Sequence, residues 1–279
     1  MNMRVAVLIA TSNGRTQWLA DRCLRSVYLQ GGVDPSDVLV VVVDDNAEPS
    51  EYARVLAAMS RLRHELGLIP EEFQTRVLRN ARTQGNSGTG AWNTGIALVA
   101  GLPRPRPDFV AVLDDDDEYL PTHLANCLAA AEPDVLGVFE RLEWLRDGAG
   151  KEHELEAADL TPDAFFVGNP GIQGSNLFLR LDAIAAIGGF DEALPNTTDR
   201  DLMIRVLRHA APSGGRFVVL PSVGVRYFDH DGYRVNTDVV RKHRGLDLFY
   251  LKHSADFSPE QRHASLDRAQ RLFGYRGAA

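Results

Sequence analysis

Cysteine is scarce in this chain: two residues, Cys23 and Cys127, among 279. Two distant thiols give neither a disulfide framework nor the paired spacing of a zinc module, and they fit a reducing compartment, so a cytoplasmic location is expected. Positive charge is also short, with 30 Lys and Arg against 38 Asp and Glu and a net charge of −8. That balance argues against a nucleic-acid partner. No apolar run approaches the ~20 residues of a transmembrane helix. Met1–Ala10 passes straight into a strand pattern, which leaves no room for a signal peptide. Internal repeats and low-complexity tracts are missing too. The one basic stretch, Arg241–Arg276, holds eight Lys/Arg against four Asp/Glu. It reads first as a solvated helical face, and it leaves room for contact with an acidic membrane surface or an anionic substrate.

What the chain does have is alternation of strands and helices. Arg4–Ala10 and Asp108–Leu113 are apolar runs that read as buried strands. Asp37–Val43 carries five Val and one Leu with no alternation, the pattern of a strand covered on both faces. Gln74–Leu78 is a further strand. Helical spacing marks Trp18–Leu29, Glu51–Leu66 and Ala91–Ala100, the last opened by the glycine-rich turn Gly85–Gly90. Strand–helix alternation predicts a parallel α/β sheet, whose ligands gather at the carboxyl ends of the strands. Thr11, Asp44 and Asp114 lie there. In the second half Val135–Trp144 and Gln173–Leu179 read as strands and Arg146–Pro162 as a charged loop. A short helix follows over Asp182–Ile187, then a turn at Gly188–Phe190 and a helix over Arg200–Ala210. Arg216–Leu220 and Gly224–Phe228 read as two more strands. Two helices follow Asp238, the second capped by Ser258 with Pro259 at its first position.

The strand ending at Leu113 runs directly into Asp114, Asp115, Asp116, Asp117 and Glu118. Adjacent carboxylates repel and raise one another's pKa unless a positive partner joins them. A divalent cation with a preference for hard oxygen ligands is the natural partner, and a solvated acidic turn is the bland alternative. A helix–loop–helix calcium site does not fit, because Tyr119 and Ala125 stand where such a loop wants Gly and Glu.

Taken in order, Val5–Thr11, Val40–Asn46, Asn93–Ile96, Leu113–Pro121, Gly188–Leu194 and Asp199–Arg205 resemble the ordered segments of the family 2 inverting glycosyltransferases. The resemblance covers roughly the first 230 residues. It implies a GT-A (Rossmann-like) α/β fold, with a mixed, mainly parallel sheet flanked by helices and a C-terminal helical extension. Residues 1–135 would form the nucleotide-sugar-binding half, 136–235 the acceptor-binding half and 236–279 the extension. The implied reaction moves a sugar from a nucleoside-diphosphate sugar, UDP favoured, to an acceptor hydroxyl on a saccharide, natural product or lipid-linked glycan. Asp116 and Asp114 would ligate Mn²⁺ or Mg²⁺, with His230 a further metal candidate. Asp114 and Asp115 would also meet the ribose and metal, Asp44 the base, and Thr11 the nucleotide.

Two positions depart from the family pattern. Asn13 replaces an aromatic residue, and Trp92 replaces an Arg before Asn93, so Trp92 would stack on the base or sugar or fill the core. Positive charge near the nucleotide would come from Arg15, Arg79 or Arg82. Asp199 matches the general base, with helix capping as its structural alternative and Asp201 as runner-up base. Gln173–Asn176, Asn196 and Thr197 are acceptor-contact candidates by position. The rival readings are a sugar-phosphate nucleotidyltransferase, which wants a glycine-rich loop with Arg and Lys after the first strand, and a nucleotide-sugar-binding protein without catalysis. A homo-oligomer is compatible with the sequence.

Overall fold

A computed structural model describes residues 4–12, 14–82, 85, 87–229 and 238–277. The first strands are β1 (Val5–Thr11), β2 (Val38–Asp44), β3 (Gln74–Arg79) and β4 (Phe109–Asp114), all parallel in the order β3-β2-β1-β4. Their apolar residues alternate between two cores. Ala6, Leu8, Leu39, Val41, Val43, Val110 and Val112 face one side, and Val5, Val7, Val38, Val40, Val42, Ala111 and Leu113 the other. This double burial is why the Val-rich run shows no polar alternation. The second side is covered by α3 (Pro49–Glu65) and by a helix running from α1 (Thr16–Trp18) through a π-helical stretch, Leu19–Leu24, into α2 (Arg25–Tyr28). The first side is covered by α4 (Thr89–Ala100) and by helices of the second half.

Beyond β4 the sheet continues through β8 (Phe178–Arg180), β6 (Val135–Arg146) and β9 (Arg216–Asp229) to β5 (Glu118–Tyr119), with β7 (Ala149–His153) paired to β6. The parallel pairings are the long ones, and the antiparallel pairings span only two to five residues. The acidic turn joins β4 to β5, four strand spacings away, about 19 Å across a flat sheet. From Asp114 to Glu118 the chain can reach only about 14 Å. The sheet therefore curls, and its second half arches over the carboxyl ends of the first.

The helices of that half are α5 (His123–Ala130), α6 (Pro162–Val167), α7 (Leu181–Ala186) and α8 (Thr198–Ala210), followed by α9 (Val239–Lys252) and α10 (Pro259–Phe273). Ser258 caps α10 through Gln261 N–H, as expected. Leu246, Phe249, Tyr250, Ala269 and Tyr275 enter the same core as β1 and α4.

Three expectations for the second half need correction. The charged loop contains β7, reached by a two-residue hairpin at Asp147 and Gly148, both with positive φ. The two strands expected at Arg216–Leu220 and Gly224–Phe228 are one strand, because register shifts opposite Glu140 and Arg141 absorb Pro221 and Ser222 as a bulge. Gln173–Leu179 is mostly not a strand. Gly174–Asn176 forms a 3₁₀ turn closed by reciprocal Gln173 and Asn176 bonds, and only Phe178–Arg180 pairs.

Candidate active site

Parallel register brings the first-half candidates together. Thr11 pairs with Asp44, Asp44 with Arg79, and Ala10 with Asp114, so the four strands end at nearly one level. Above them opens a cavity of about 310 Å³. Ser12, Arg15, Asp45, Trp92 and Asp114–Asp116 line it from the first half, and Gln173, Gly174, Asn196, Asp199, Tyr227 and Arg241 line it from the second.

The acids within the turn have different tasks. Asp115 accepts from Thr11 Oγ1 at 2.9 Å, Ser12 N at 3.2 Å and Arg15 at 3.1 Å. Arg15 also reaches Asp116 Oδ2 at 3.2 Å. Burial and the Asp116 charge push Asp115 up to about 6, against the pull of Arg15 and Thr11. Burial alone would lower Arg15, but Asp115 and Asp116 outweigh it and raise its pKa. Asp117 is fully buried and structural: it accepts from Ser175 Oγ at 2.5 Å and Phe228 N at 3.0 Å, tying the turn to the 3₁₀ segment and β9. Burial, then Asp117, Asp116 and Asp115, hold Asp114 well above the usual carboxylate range. One oxygen each from Asp114, Asp116 and Asp117 lies within 4.8 Å of the others. That donor set is hard oxygen, and a doubly charged cation would relieve the repulsion that raises Asp114. Arg22, unmarked in the sequence, donates to Asp116 O at 2.7 Å from the π-helical stretch.

Several other first-half candidates lie off the cavity. Asp44 is fully buried. Its Oδ1 takes the Asn46 side chain at 2.6 Å, its Oδ2 faces Arg79 Nε at 3.7 Å, and it does not line the cavity. Its neighbour Asp45 does, held by Asn80 at 2.6 Å and Gly85 N at 2.9 Å. The last residue of β2 points into the layer below, and the next one is free to point out. Arg82 is exposed, bonded to Glu192 at 3.2 Å, and is not in the lining. Asn93 instead clamps the turn after α7, bonding Phe190 N at 2.8 Å, Phe190 O at 2.9 Å and Glu192 at 2.8 Å. Trp92 lines the cavity, packs on Phe190 at 4.9 Å between ring centroids, and leaves its indole N–H without a partner among the described residues. Asn13 and His230 lie outside the described residues.

Across the cavity Asp199 sits in the first turn of α8. It is not the cap: Thr197 holds that position, with φ of 68° and no side-chain capping bond. Burial pushes Asp199 up to about 7, although Lys242 pulls the other way. Asp201, on the far side of the helix, is bonded to Arg205 at 2.8 Å, Lys252 at 2.7 Å and His253 at 3.0 Å. Burial would raise it, but His253, Arg205 and Lys252 override that and hold it down at about 2. Gln173 and Asn196 line the cavity, whereas Ser175, Asn176 and Thr197 are buried beside it. Asn176 donates to Glu140 O at 3.0 Å and Gly171 O at 3.1 Å.

The cleft thus lies at the ends of the parallel strands, with acids on one wall and a carboxyl pushed up to about 7 on the other. The chain belongs to glycosyl transferase family 2, whose sequence profile matches residues 7–150, just over half its length. It is thus a glycosyltransferase with the GT-A fold. No curated protein sequence matches it significantly. Among solved structures it is similar to S. aureus TarS 1-349 in complex with UDP-GlcNAc, with TM-score 0.67, 15% identity, and 98% of this chain against 73% of that one. It also resembles the mannosyltransferase PcManGT from Pyrobaculum calidifontis in complex with GDP-Man and Mn²⁺, with TM-score 0.61, 19% identity, and 96% against 70%. In a longer TarS structure, 97% of this chain aligns with 44% of that one, with TM-score 0.65 and 16% identity. Family membership favours the glycosyltransferase reading over the nucleotidyltransferase one. No described helix is long and apolar enough to cross a membrane.

Proposed function

We propose that the chain is a metal-dependent inverting glycosyltransferase that uses a nucleoside-diphosphate sugar, UDP favoured. Residues 1–135 bind the donor, 136–235 the acceptor, and 236–279 form an extension. The observation that carries the reading is the pair of opposed walls: Asp114–Asp116 on one side of the cavity, Asp199 on the other. Displacement with inversion needs the leaving diphosphate and the attacking hydroxyl on opposite faces of the sugar. Asp114 and Asp116 would hold Mn²⁺ or Mg²⁺, and Asp117 would stiffen that turn. A bound divalent cation neutralises charge on the diphosphate. Thr11 and Arg15 act through Asp115 and Asp116, which they orient. Asp45 meets the nucleoside in the role expected of Asp44, and Trp92 supplies an apolar wall for the donor. Asp199 Oδ accepts the proton from the acceptor hydroxyl as its oxygen bonds the anomeric carbon. The bond from that carbon to the diphosphate oxygen breaks, and its electron pair leaves with the nucleotide.

The TarS structure bound to UDP-GlcNAc and the PcManGT structure bound to GDP-Man and Mn²⁺ support donor class and metal. The test is nucleoside-diphosphate release from UDP-GlcNAc and GDP-mannose with Mn²⁺, with excess EDTA, and for Asp116→Ala. Turnover should need the metal, should nearly vanish in the variant, and should give product of opposite anomeric configuration. Full turnover in EDTA, or retained configuration, would refute the reading.

A further inference from the structure

Helix α9 lies beyond the matched family segment, yet it forms part of the cavity wall. Arg241 lines the cavity and donates to Gly85 O at 2.7 Å. Its neighbour Lys242 donates from Nζ to Asn196 Oδ1 at 2.8 Å and rests 4.5 Å from the centroid of the Phe273 ring. Asn196 lines the cavity, and the same oxygen takes the Thr197 N–H at 2.7 Å. Lys242 therefore grips the bend that delivers Asp199 to the start of α8. Thr197 in that bend has φ of 68°, a strained conformation that persists only where its surroundings hold it. The grip is close. A Cβ added to Gly245 of α9 would lie 2.8 Å from Asn196 Cβ and 2.9 Å from its carbonyl oxygen.

Electrostatics point the same way. Among the described residues, Lys242 from α9 and Asp114 from the opposite wall act electrostatically on Asp199, and Arg15, Asp115, Asp116 and Arg241 line the same cavity. The charges facing Lys242 are Asp199, Arg200 on α8 and Arg268 on α10. Burial, Arg200 and Arg268 lower Lys242 to about 8, and the Asp199 charge opposes them.

We infer that Lys242 is a positioning residue of the transfer reaction: it holds Asn196 and the carboxylate of Asp199 in the geometry that acceptor activation needs. This rests on Asp199 being the base. The test compares Lys242→Met, Lys242→Gln, Lys242→Arg and Asp199→Asn. Its readouts are melting temperature, UDP affinity with Mn²⁺, and kcat and KM for nucleoside-diphosphate release from UDP-GlcNAc or GDP-mannose, whichever is turned over. Lys242→Met and Lys242→Gln should lower kcat roughly ten- to a hundred-fold. UDP affinity should not change, and Lys242→Arg, which keeps the charge, should recover most of the loss. Wild-type kcat in Lys242→Met or Lys242→Gln would overturn the inference. So would a parallel loss of UDP affinity, or a Lys242→Arg variant as slow as Lys242→Met, either of which marks a purely structural role. An active Asp199→Asn would instead sink the base assignment, whereas an inactive Asp199→Asn beside a fully active Lys242→Met would sink this inference alone.

Discussion

Asp199 and Asp201 are two residues apart, and their surroundings drive them in opposite directions. With its carboxyl at about 7, Asp199 loses the ionised form that a base needs as pH drops below 7, so turnover should fall about tenfold per unit there. Asp199→Asn should cost about 10²–10⁴ in turnover, roughly 3–5 kcal/mol of barrier, with nucleotide affinity unchanged. Because its folded pKa is raised, the ionised group costs stability as pH climbs from the unfolded value toward 7, so Asp199→Asn should melt no lower than wild type at pH 8. Asp201 is the reverse case. Held at about 2, it contributes stability that is fully present above its unfolded pKa and is lost as pH falls through about 2, on the order of 2 kcal/mol. Asp201→Asn should lower the melting temperature at pH 7 while leaving kcat near wild type. Matching effects of the two substitutions would contradict both assignments. The sequence marks the Asp-rich segment but cannot say which carboxylate meets the cavity. That depends on helix phase, and on where α9 sets down Lys252 and His253.

At the scale of elements, the strands of the first half were readable because burial on both faces leaves an uninterrupted apolar run, as in Val38–Val43. The same run did not reveal whether Asp44 or Asp45 faces out, since that turns on the last residue of the strand. Asp147-Gly148 was a legible hairpin signal that the surrounding charge obscured. Pro221 hid the continuity of β9, because a bulge can accommodate a proline inside a strand. The docking of α9 was invisible, as nothing in Gly245 announces a contact with residue 196. That contact gives a prediction: Gly245→Ala should destabilise the protein by about 1–3 kcal/mol in chemical denaturation, because neither the Asn196 backbone nor the helix can easily yield. No change in the denaturation midpoint would mean that α9 sits more loosely than the structure indicates.

For the whole molecule, the curl of the sheet turns two dissimilar halves into one cleft. The fold class could be read from alternation and from the family segments. The cleft could not, because β5 closes it through a long-range pairing of Glu118–Tyr119 with Val225–Arg226 of β9. A ligand that bridges the walls and binds only the folded chain should stabilise it by about 2.7 kcal/mol at a hundred times its dissociation constant. UDP should therefore raise the melting temperature in Mn²⁺ and much less in EDTA. Equal shifts under both conditions would mean that the acidic turn does not help to bind the diphosphate.

The aromatic rings around the cavity also give the protein an optical property. The chain has three tryptophans. Trp92 lines the cavity, Trp144 lies 4.8 Å from the ring of the lining residue Tyr227, and the Arg15 guanidinium sits 5.7 Å from the ring of Trp18. Light absorbed near 295 nm is thus re-emitted almost entirely from the neighbourhood of the cleft. A nucleotide settling there should change the intensity or wavelength of that emission, so occupancy can be titrated on the unlabelled chain. Trp92→Phe should remove the largest part of the signal, and an emission spectrum unmoved by saturating UDP and Mn²⁺ would show that the nucleotide leaves these rings undisturbed.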